Sequence, residues 1–335
     1  MKILVTGGAG YIGSHACVSL SQGGHEVIVL DNFCNSYPEA LCATSQITGH
    51  PVVLVEGDVR DTKLLKQLFD TYTIDAVLHF AGLKAVGESV SKPLKYFDSN
   101  VGGMIALLGA MEGAGVHTLV FSSSATVYGS PQKLPLTEAH PFLSDTSPYG
   151  HSKQIIERML ADLAVANPIW RIACLRYFNP VGAHETGLIG EKPLGVPNNL
   201  MPYLADVAIG RRKRLAVFGG DYPTHDGTGI RDYIHVMDLV EGHIAALYYL
   251  QKQMGLVTVN LGVGRGLSVL ELIRTFEKTI NKCVPYDIVD RRVGDVAECW
   301  ADVTKSANLF GWKAKRSVEQ MCRDTWRWVR KSNKI

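Results

Sequence analysis

The chain has no apolar run of eighteen residues, no Cys-x-x-Cys pair and almost no net charge. The first absence leaves no membrane-spanning helix to expect. The seven cysteines, at 17, 34, 42, 174, 283, 299 and 322, are odd in number and scattered. This argues against a disulfide framework or a zinc site, and for reduced thiols in a cytoplasmic protein. A net charge of +2 gives no electrostatic case for a nucleic-acid partner. His15, His79 and His151 lack metal-ligand spacing, so no metal is expected. Met1 to Gly7 imitates the start of a signal peptide only briefly, and no cleavage site follows. It reads as a first strand instead.

What is present is an ordinary globular composition, 46% apolar and 20% charged, which excludes a disordered chain. Short, nearly continuous apolar runs read as strands at 2–6, 26–30, 51–55, 76–80, 118–122 and 171–176. Runs of that kind suit a parallel sheet covered on both faces. Helical patterns lie between them at 12–22, 61–72, 93–114 and 149–166. The alternation predicts an α/β fold, a Rossmann-type doubly wound parallel sheet. After Asn179, prolines and glycines shorten the elements, and helices return at 200–209, 237–253, 268–279 and 317–330. We expect a first domain over 1–179 and a smaller α/β substrate-binding region over 180–335, with 237–253 packing back on the first. The basic, aromatic stretch Trp326 to Lys331 is expected to close the fold as an amphipathic helix, not to bind nucleic acid.

The first strand runs into Thr6-Gly7-Gly8-Ala9-Gly10-Tyr11-Ile12-Gly13. Glycines at 7, 10 and 13 permit a tight turn and let a helix N-terminus approach a pyrophosphate. A glycine triplet alone is a weak signal. Here it follows a strand and opens a helix, the required context. Asp31 ends the second strand eighteen residues after Gly13. A carboxylate there accepts from a ribose 2′-hydroxyl and repels a 2′-phosphate, which favours NAD over NADP. Asn32 follows it, and Asp58-Val59 at the end of the third strand is a candidate adenine contact.

The fifth strand ends in Ser122-Ser123-Ser124, and Ser147-Pro148-Tyr149-Gly150-His151-Ser152-Lys153 opens a helix. Residues 149 and 153 share one helical face. An isolated tyrosine is a poor base near neutrality. A lysine ammonium and a positive nicotinamide favour its phenolate. Tyr149 is then a general base for an alcohol or sugar hydroxyl, with Ser124 bonded to the same oxygen.

Together these motifs resemble the extended short-chain dehydrogenase/reductase family. Five longer runs narrow the likeness: Phe80 to Ser89, Ser122 to Gly129, Arg176 to Ala183, Pro197 to Pro202 and Asp226 to Val236. They are similar to UDP-glucose (UDP-galactose) 4-epimerases over essentially the whole chain. The resemblance implies that Tyr149 takes the proton of the sugar's 4-hydroxyl while hydride passes from carbon 4 to NAD. The 4-keto sugar turns over, and hydride returns to its other face. The resemblance implies cofactor contacts from Gly7, Gly10, Tyr11, Ile12, Gly13, Asp31, Asn32, Asp58, Val59, Phe80, Ala81, Gly82, Lys84, Ser124, Tyr149, Lys153 and Phe178. Ser99 joins them, although many members carry Asn there. Around the UDP-sugar it implies Ser124, Tyr149, Asn179, Asn198, Asn199, Leu200, Ala216, Val217, Phe218, Arg231, Tyr233, Arg292, Asp295 and Cys299. The asparagines precede a helix whose free N–H groups suit a phosphate. The two arginines offer forked donors. Helices 93–114 and 149–166 would form the bundle of a homodimer.

Family members restricted to plain hexoses carry tyrosine where this chain has Cys299. The smaller thiol leaves room for a 2-acetamido group, so UDP-GlcNAc/UDP-GalNAc are expected substrates alongside UDP-Glc/UDP-Gal. Nucleotide-sugar 4,6-dehydratases share the fold but place an acid pair before Val-Tyr-Gly. Here Ala125 and Thr126 occupy that place and cannot replace it. A non-catalytic dinucleotide sensor would have lost the tyrosine, which is present.

Overall fold

The computed structural model describes every residue except Val196, Asn198, Val293 and Ile335. Its strands are β1 (Lys2–Thr6), β2 (Glu26–Asp31), β3 (Val53–Glu56), β4 (Ala76–His79), β5 (Thr118–Ser124), β6 (Arg171–Tyr177), β7 (Asn179–Val181), β8 (Leu215–Phe218), β9 (Ile230–Arg231), β10 (Tyr233–His235), β11 (Gly255–Leu261), β12 (Leu267–Ser268), β13 (Tyr286–Val289) and β14 (Glu298–Cys299). Its helices are α1 (Tyr11–Gln22), α2 (Glu39–Thr48), α3 (Thr62–Thr71), α4 (Val86–Ser91), α5 (Pro93–Tyr96), α6 (Gly103–Gly113), α7 (Pro148–Ala166), α8 (Leu200–Ala208), α9 (Val236–Leu250), α10 (Val269–Ile280), α11 (Thr304–Phe310) and α12 (Val318–Ser332).

Seven parallel strands form the central sheet in the order β11-β6-β5-β4-β1-β2-β3. The order reverses between β1 and β4, and ligands of open α/β sheets sit at such a switch point. Both faces of the inner strands are buried, as their continuous apolar runs require, while the edge strand β3 is largely exposed. Ile3, Val5, Val29, Leu78 and Val120 point to one side, where α1 and α9 pack. Leu4, Ile28, Leu30, Val77 and Leu119 point to the other, towards α3, α6 and α7. Alternation along each strand explains how one short run supplies two cores.

Several elements were not assigned from the sequence, among them α2 and β11. Helix α2 buries only Leu41 and Thr44, so its apolar period is shallow. Strand β11 follows α9 and pairs along its whole length with β6. The chain after residue 180 therefore returns to the sheet. The remaining segments pack around α8, α10 and α12 in a separate core that includes Met201, Leu204, Phe276 and Met321. Helix α12 buries Val318, Met321, Cys322 and Val329, the amphipathic face expected of it.

The single helix expected over 93–114 is broken. α5 ends at Tyr96, a π-helical turn spans Phe97–Gly102, and α6 begins at Gly103. Gly102 and Gly103 are poor helix formers. A Cβ on Gly103 would lie 2.8 Å from Val59, so glycine lets the helix meet the loop after β3. Such π turns occur often at functional sites. None of the seven cysteines is in a disulfide. Among the described residues, no helix is long and apolar enough to cross a membrane.

Candidate active site

The glycine loop is built by close approach. Gly7 has φ +72°, and its missing Cβ would stand 2.7 Å from the Ala81 nitrogen. A Cβ on Gly13 would stand 2.1 Å from the Gly7 carbonyl oxygen. Gly10 is the N-cap of α1, and no side chain caps that end. An uncapped N-terminus beneath a side-chain-free loop fits a diphosphate. Ile12 packs against the sheet core. The Tyr11 hydroxyl donates to the Gly182 carbonyl at 2.7 Å, tying the loop to the chain beyond β7.

Asp31 is buried and already occupied on both oxygens. It accepts from Ala9 N (2.9 Å), Phe33 N (2.9 Å) and the Ser36 hydroxyl (2.8 Å). Its carboxylate thus shapes the loop. Asn32 donates to Asp58 at 2.9 Å, and Arg60 binds the same carboxylate. The Arg60 guanidinium holds the Asp58 carboxyl far below its ordinary range. These residues and Val59 line the carboxyl ends of β2 and β3.

The loop after β4 holds Phe80, Ala81, Gly82 and Lys84. It is clamped by Asn100, which sequence reasoning passed over in favour of its neighbour Ser99. Asn100 is buried, accepts from Leu83 N at 2.8 Å and donates to Leu83 O at 3.0 Å. Ser99 is half-buried beside it in the π turn. A signal was available: Asn100 is a polar residue inside an otherwise helical pattern. Lys84 reaches Glu191 at 3.1 Å.

Ser124, Tyr149 and Lys153 do come together. Ser124 is the last residue of β5, at the end of its serine run. Its hydroxyl oxygen accepts from Thr126 N at 3.2 Å and from the Thr126 hydroxyl at 3.0 Å. Pro148 opens α7, and Ser147 caps it by accepting from Gly150 N. Tyr149 and Lys153 then lie one turn apart and both are buried. Lys153 Nζ donates to the Ser122 carbonyl at 2.8 Å and lies 5.9 Å from the Tyr149 ring centroid. Burial lowers the Lys153 ammonium to about 8, and the nearby Glu157 carboxylate opposes that shift. Burial pushes the Tyr149 phenol up, and a hydrogen bond with Ser124 pulls it back. Burial thus works against the phenolate at this position.

The second half brings the other expected residues into two groups. Asn179 on β7 stands in register with Tyr233 on β10, and Arg231 on β9 with Cys299 on β14. Arg231 reaches Asp295 at 3.4 Å. Arg292 lies over the Phe218 ring at 4.0 Å. On β8, Ala216 and Phe218 are half-buried, while Val217 faces the core between them. Asn199 is the N-cap of α8, and its amide donates to Glu191 at 2.6 Å rather than to the helix. Leu200 begins that helix. Asn198 lies outside the described residues. Phe178 and Cys299 share a cluster with Val127 and Ala301, which places the thiol next to the turn after Ser124. Asp232, unassigned from sequence, holds two segments together here by accepting from Val263 N, Gly264 N and Ala301 N. Among the described residues no cluster suits a metal.

The sheet order and the Ser124–Tyr149–Lys153 cluster define a short-chain dehydrogenase/reductase-like protein. A family profile described as GDP-mannose 4,6 dehydratase matches residues 4–325. A UDP-glucose 4-epimerase of Bacillus subtilis is 55% identical over 328 residues, 98% of this chain and 96% of that protein. A Stenotrophomonas maltophila UDP-glucose-4-epimerase structure, with bound NAD and formylated UDP-arabinopyranose, is 54% identical. It matches with a TM-score of 0.97 over 100% of this chain and 99% of that one. The Bifidobacterium longum UDP-glucose 4-epimerase, in complex with NAD+ and UDP, is 49% identical, with a TM-score of 0.96 over 100% and 99% of the chains. The chain belongs to the family that the profile describes and, more narrowly, to the UDP-glucose 4-epimerase family.

Proposed function

We propose that this protein is an NAD-dependent 4-epimerase of UDP-hexoses. The observation that carries the reading is the buried Ser124–Tyr149–Lys153 cluster beside the uncapped glycine-loop helix. NAD, when bound, supplies a reversible hydride acceptor and a positive ring at that pocket. The chain's own residues manage the proton and the grip. Tyr149, as phenolate, takes the proton of the sugar's 4-hydroxyl and returns one when the hydroxyl re-forms. Ser124 hydrogen-bonds the same oxygen. Lys153, held on the Ser122 carbonyl, contributes positive charge next to the phenol.

The grip is asymmetric. Arg231 and Arg292 are forked donors for the UDP diphosphate, and Asn199 stands at the open N-terminus of α8. The hexose, by contrast, must stay free to turn. In this reading residues 1–179 with the returning α9 hold the cofactor, and the rest of 180–335 holds the UDP-sugar. The test is an assay of purified protein with NAD against UDP-Glc, UDP-Gal, UDP-GlcNAc and UDP-GalNAc, read for 4-epimers. Conversion of neither pair overturns the proposal.

The reading extends to the N-acetylated pair through Cys299. Burial pushes its thiol up to about 12, so it is a small neutral group and not a nucleophile. Cys299→Tyr adds a ring to a packed cluster, an overpacking cost of about 1–3 kcal/mol. Turnover of UDP-GlcNAc relative to UDP-Glc is expected to fall about tenfold or more. An unchanged ratio of kcat/KM values sinks the idea.

The homodimer belongs to the same reading. Leu94, Ile105 and Ile155 are exposed on α5, α6 and α7 at 81%, 56% and 42%. Sedimentation of the purified protein is expected to give a dimer, and Ile105→Glu to shift it towards monomer. A monomeric parent protein counts against this face as an interface.

A further inference from the structure

Helix α7 presents a third inward residue in line with Tyr149 and Lys153. Glu157 follows Lys153 by one turn, on the same face. Its carboxylate is buried and meets an equally buried cation. Arg176 Nη2 lies 2.6 Å from Glu157 Oε2, and Arg176 Nε donates to both carboxylate oxygens at 3.0 and 3.1 Å. The Ser123 hydroxyl donates to Glu157 Oε1 at 2.5 Å. Arg176 Nη1 also donates to the Tyr128 hydroxyl and to the Glu138 carbonyl. Three turns of α7 thus engage three consecutive serines: Tyr149 with Ser124, Lys153 with the Ser122 carbonyl, Glu157 with Ser123.

A buried ion pair is a poor stability device, because desolvation cancels much of its attraction. Its place relative to Lys153 suggests another use. The groups facing Lys153 are otherwise neutral. On β5 they are the Phe121 ring, 4.7 Å from Nζ, and the Ser122 carbonyl. From β4 comes His79, kept neutral by burial, which lowers it to about 3. From β6 comes Cys174, whose thiol burial holds well above its ordinary value. On α7 itself stands the Tyr149 phenol, which burial pushes up. Glu157 is the carboxylate that acts on Lys153, and its field opposes the effect of burial.

We propose that Glu157, held by Arg176, is a positioning residue that keeps Lys153 charged and seated on the Ser122 carbonyl, and so acts on Tyr149 through Lys153. The inference rests on the reading of Tyr149 and Lys153 given above. It makes two predictions of opposite sign. Glu157→Gln takes the carboxylate away from Lys153 and leaves Arg176 a buried cation without its anion, so Lys153 loses its proton at lower pH. Arg176→Gln removes the cation that neutralises the carboxylate and leaves it to Ser123 and Lys153, so Lys153 keeps its proton to higher pH.

The experiment follows the ε-carbon of Lys153 against pH by NMR in ε-13C-lysine-labelled protein, with Lys153→Met assigning the signal. The midpoint is expected to move down by about one pH unit or more in Glu157→Gln and up in Arg176→Gln. The alkaline limb of the epimerisation rate moves the same way, while KM for the UDP-sugar stays within about threefold, since neither residue touches substrate. Midpoints that stay put, or that move together, overturn the inference. So does a rate loss equal at every pH, which is what a merely structural pair gives. If one variant fails to fold, the other still tests the sign. Absence of any epimerisation in the parent protein overturns the underlying function instead, and the NMR titration distinguishes the two failures.

Discussion

Tyr149→Phe is expected to lower the rate of epimerisation by about 10²–10⁴-fold, the range of a positioned acid–base group. The substitution removes one oxygen and leaves the ring, which is buried at the start of α7. Packing therefore changes little, and the binding of NAD and UDP is expected to stay within a few-fold. Two features of the pocket make the hydroxyl hard to replace. Its neighbour Ser124 already accepts two bonds from Thr126, so its own proton is the one it can offer. Lys153 is seated on a carbonyl, not on the substrate. Neither can take the sugar's proton directly. The measurements are kcat and KM for UDP-galactose, with calorimetric binding of UDP. A loss confined to KM would assign Tyr149 to binding and refute its role as the base.

Gly13→Ala is the second large effect. The added carbon would lie 2.1 Å from the Gly7 carbonyl oxygen and 2.8 Å from the Gly8 Cα, both backbone atoms. Backbone cannot rotate away as a side chain can. The loop must open, at a cost of about 1–3 kcal/mol. Because Gly7 is itself wedged against Ala81, movement spreads to the loop after β4. NAD binding is expected to weaken roughly tenfold to a hundredfold. Gly24→Ala is the control, a surface glycine with no atom within 4 Å of its missing Cβ. It has φ +77°, so some backbone strain is expected there too, but no loss of NAD affinity. Equal NAD affinity in Gly13→Ala and the parent would contradict the tight-loop account.

How much of this was legible in the chain depends on the range of the interaction. The six strands read from apolar runs all exist: β1, β2, β4, β5 and β6 are buried on both faces and so mark themselves locally, whereas the edge strand β3 is largely exposed despite its apolar run. Strand β11 does not announce its sheet: Gly255 to Leu261 alternates like an edge strand, and only pairing with β6 gives it a place. The Tyr149/Lys153 spacing needed nothing beyond helical geometry. Asn100 was missed because its partner, Leu83, is a backbone seventeen residues away in sequence. The run from Asp226 to Val236 carried the family resemblance, with Arg231 and Tyr233 as its substrate candidates; Asp226 accepts from Thr228 and Ser268, and Asp232 from three backbone amides. Much of that run serves to build the floor on which Arg231 and Tyr233 stand.

The sequence by itself determined the alternating α/β order, the glycine turn at the end of β1, the carboxylate ending β2, and a tyrosine and lysine on one face of α7. Each of these is set by contacts within a few residues or by the period of one element. Only the tertiary structure decided the electrostatics of that face. Burial lowers Lys153 and raises Tyr149, while Glu157 and Arg176, brought together from α7 and β6, set the local field. It also decided that Cys299 lies beside Phe178 near the turn after Ser124. The reason is physical. Charge state and free space depend on what surrounds a group from every side, and those surroundings come from segments that are distant along the chain.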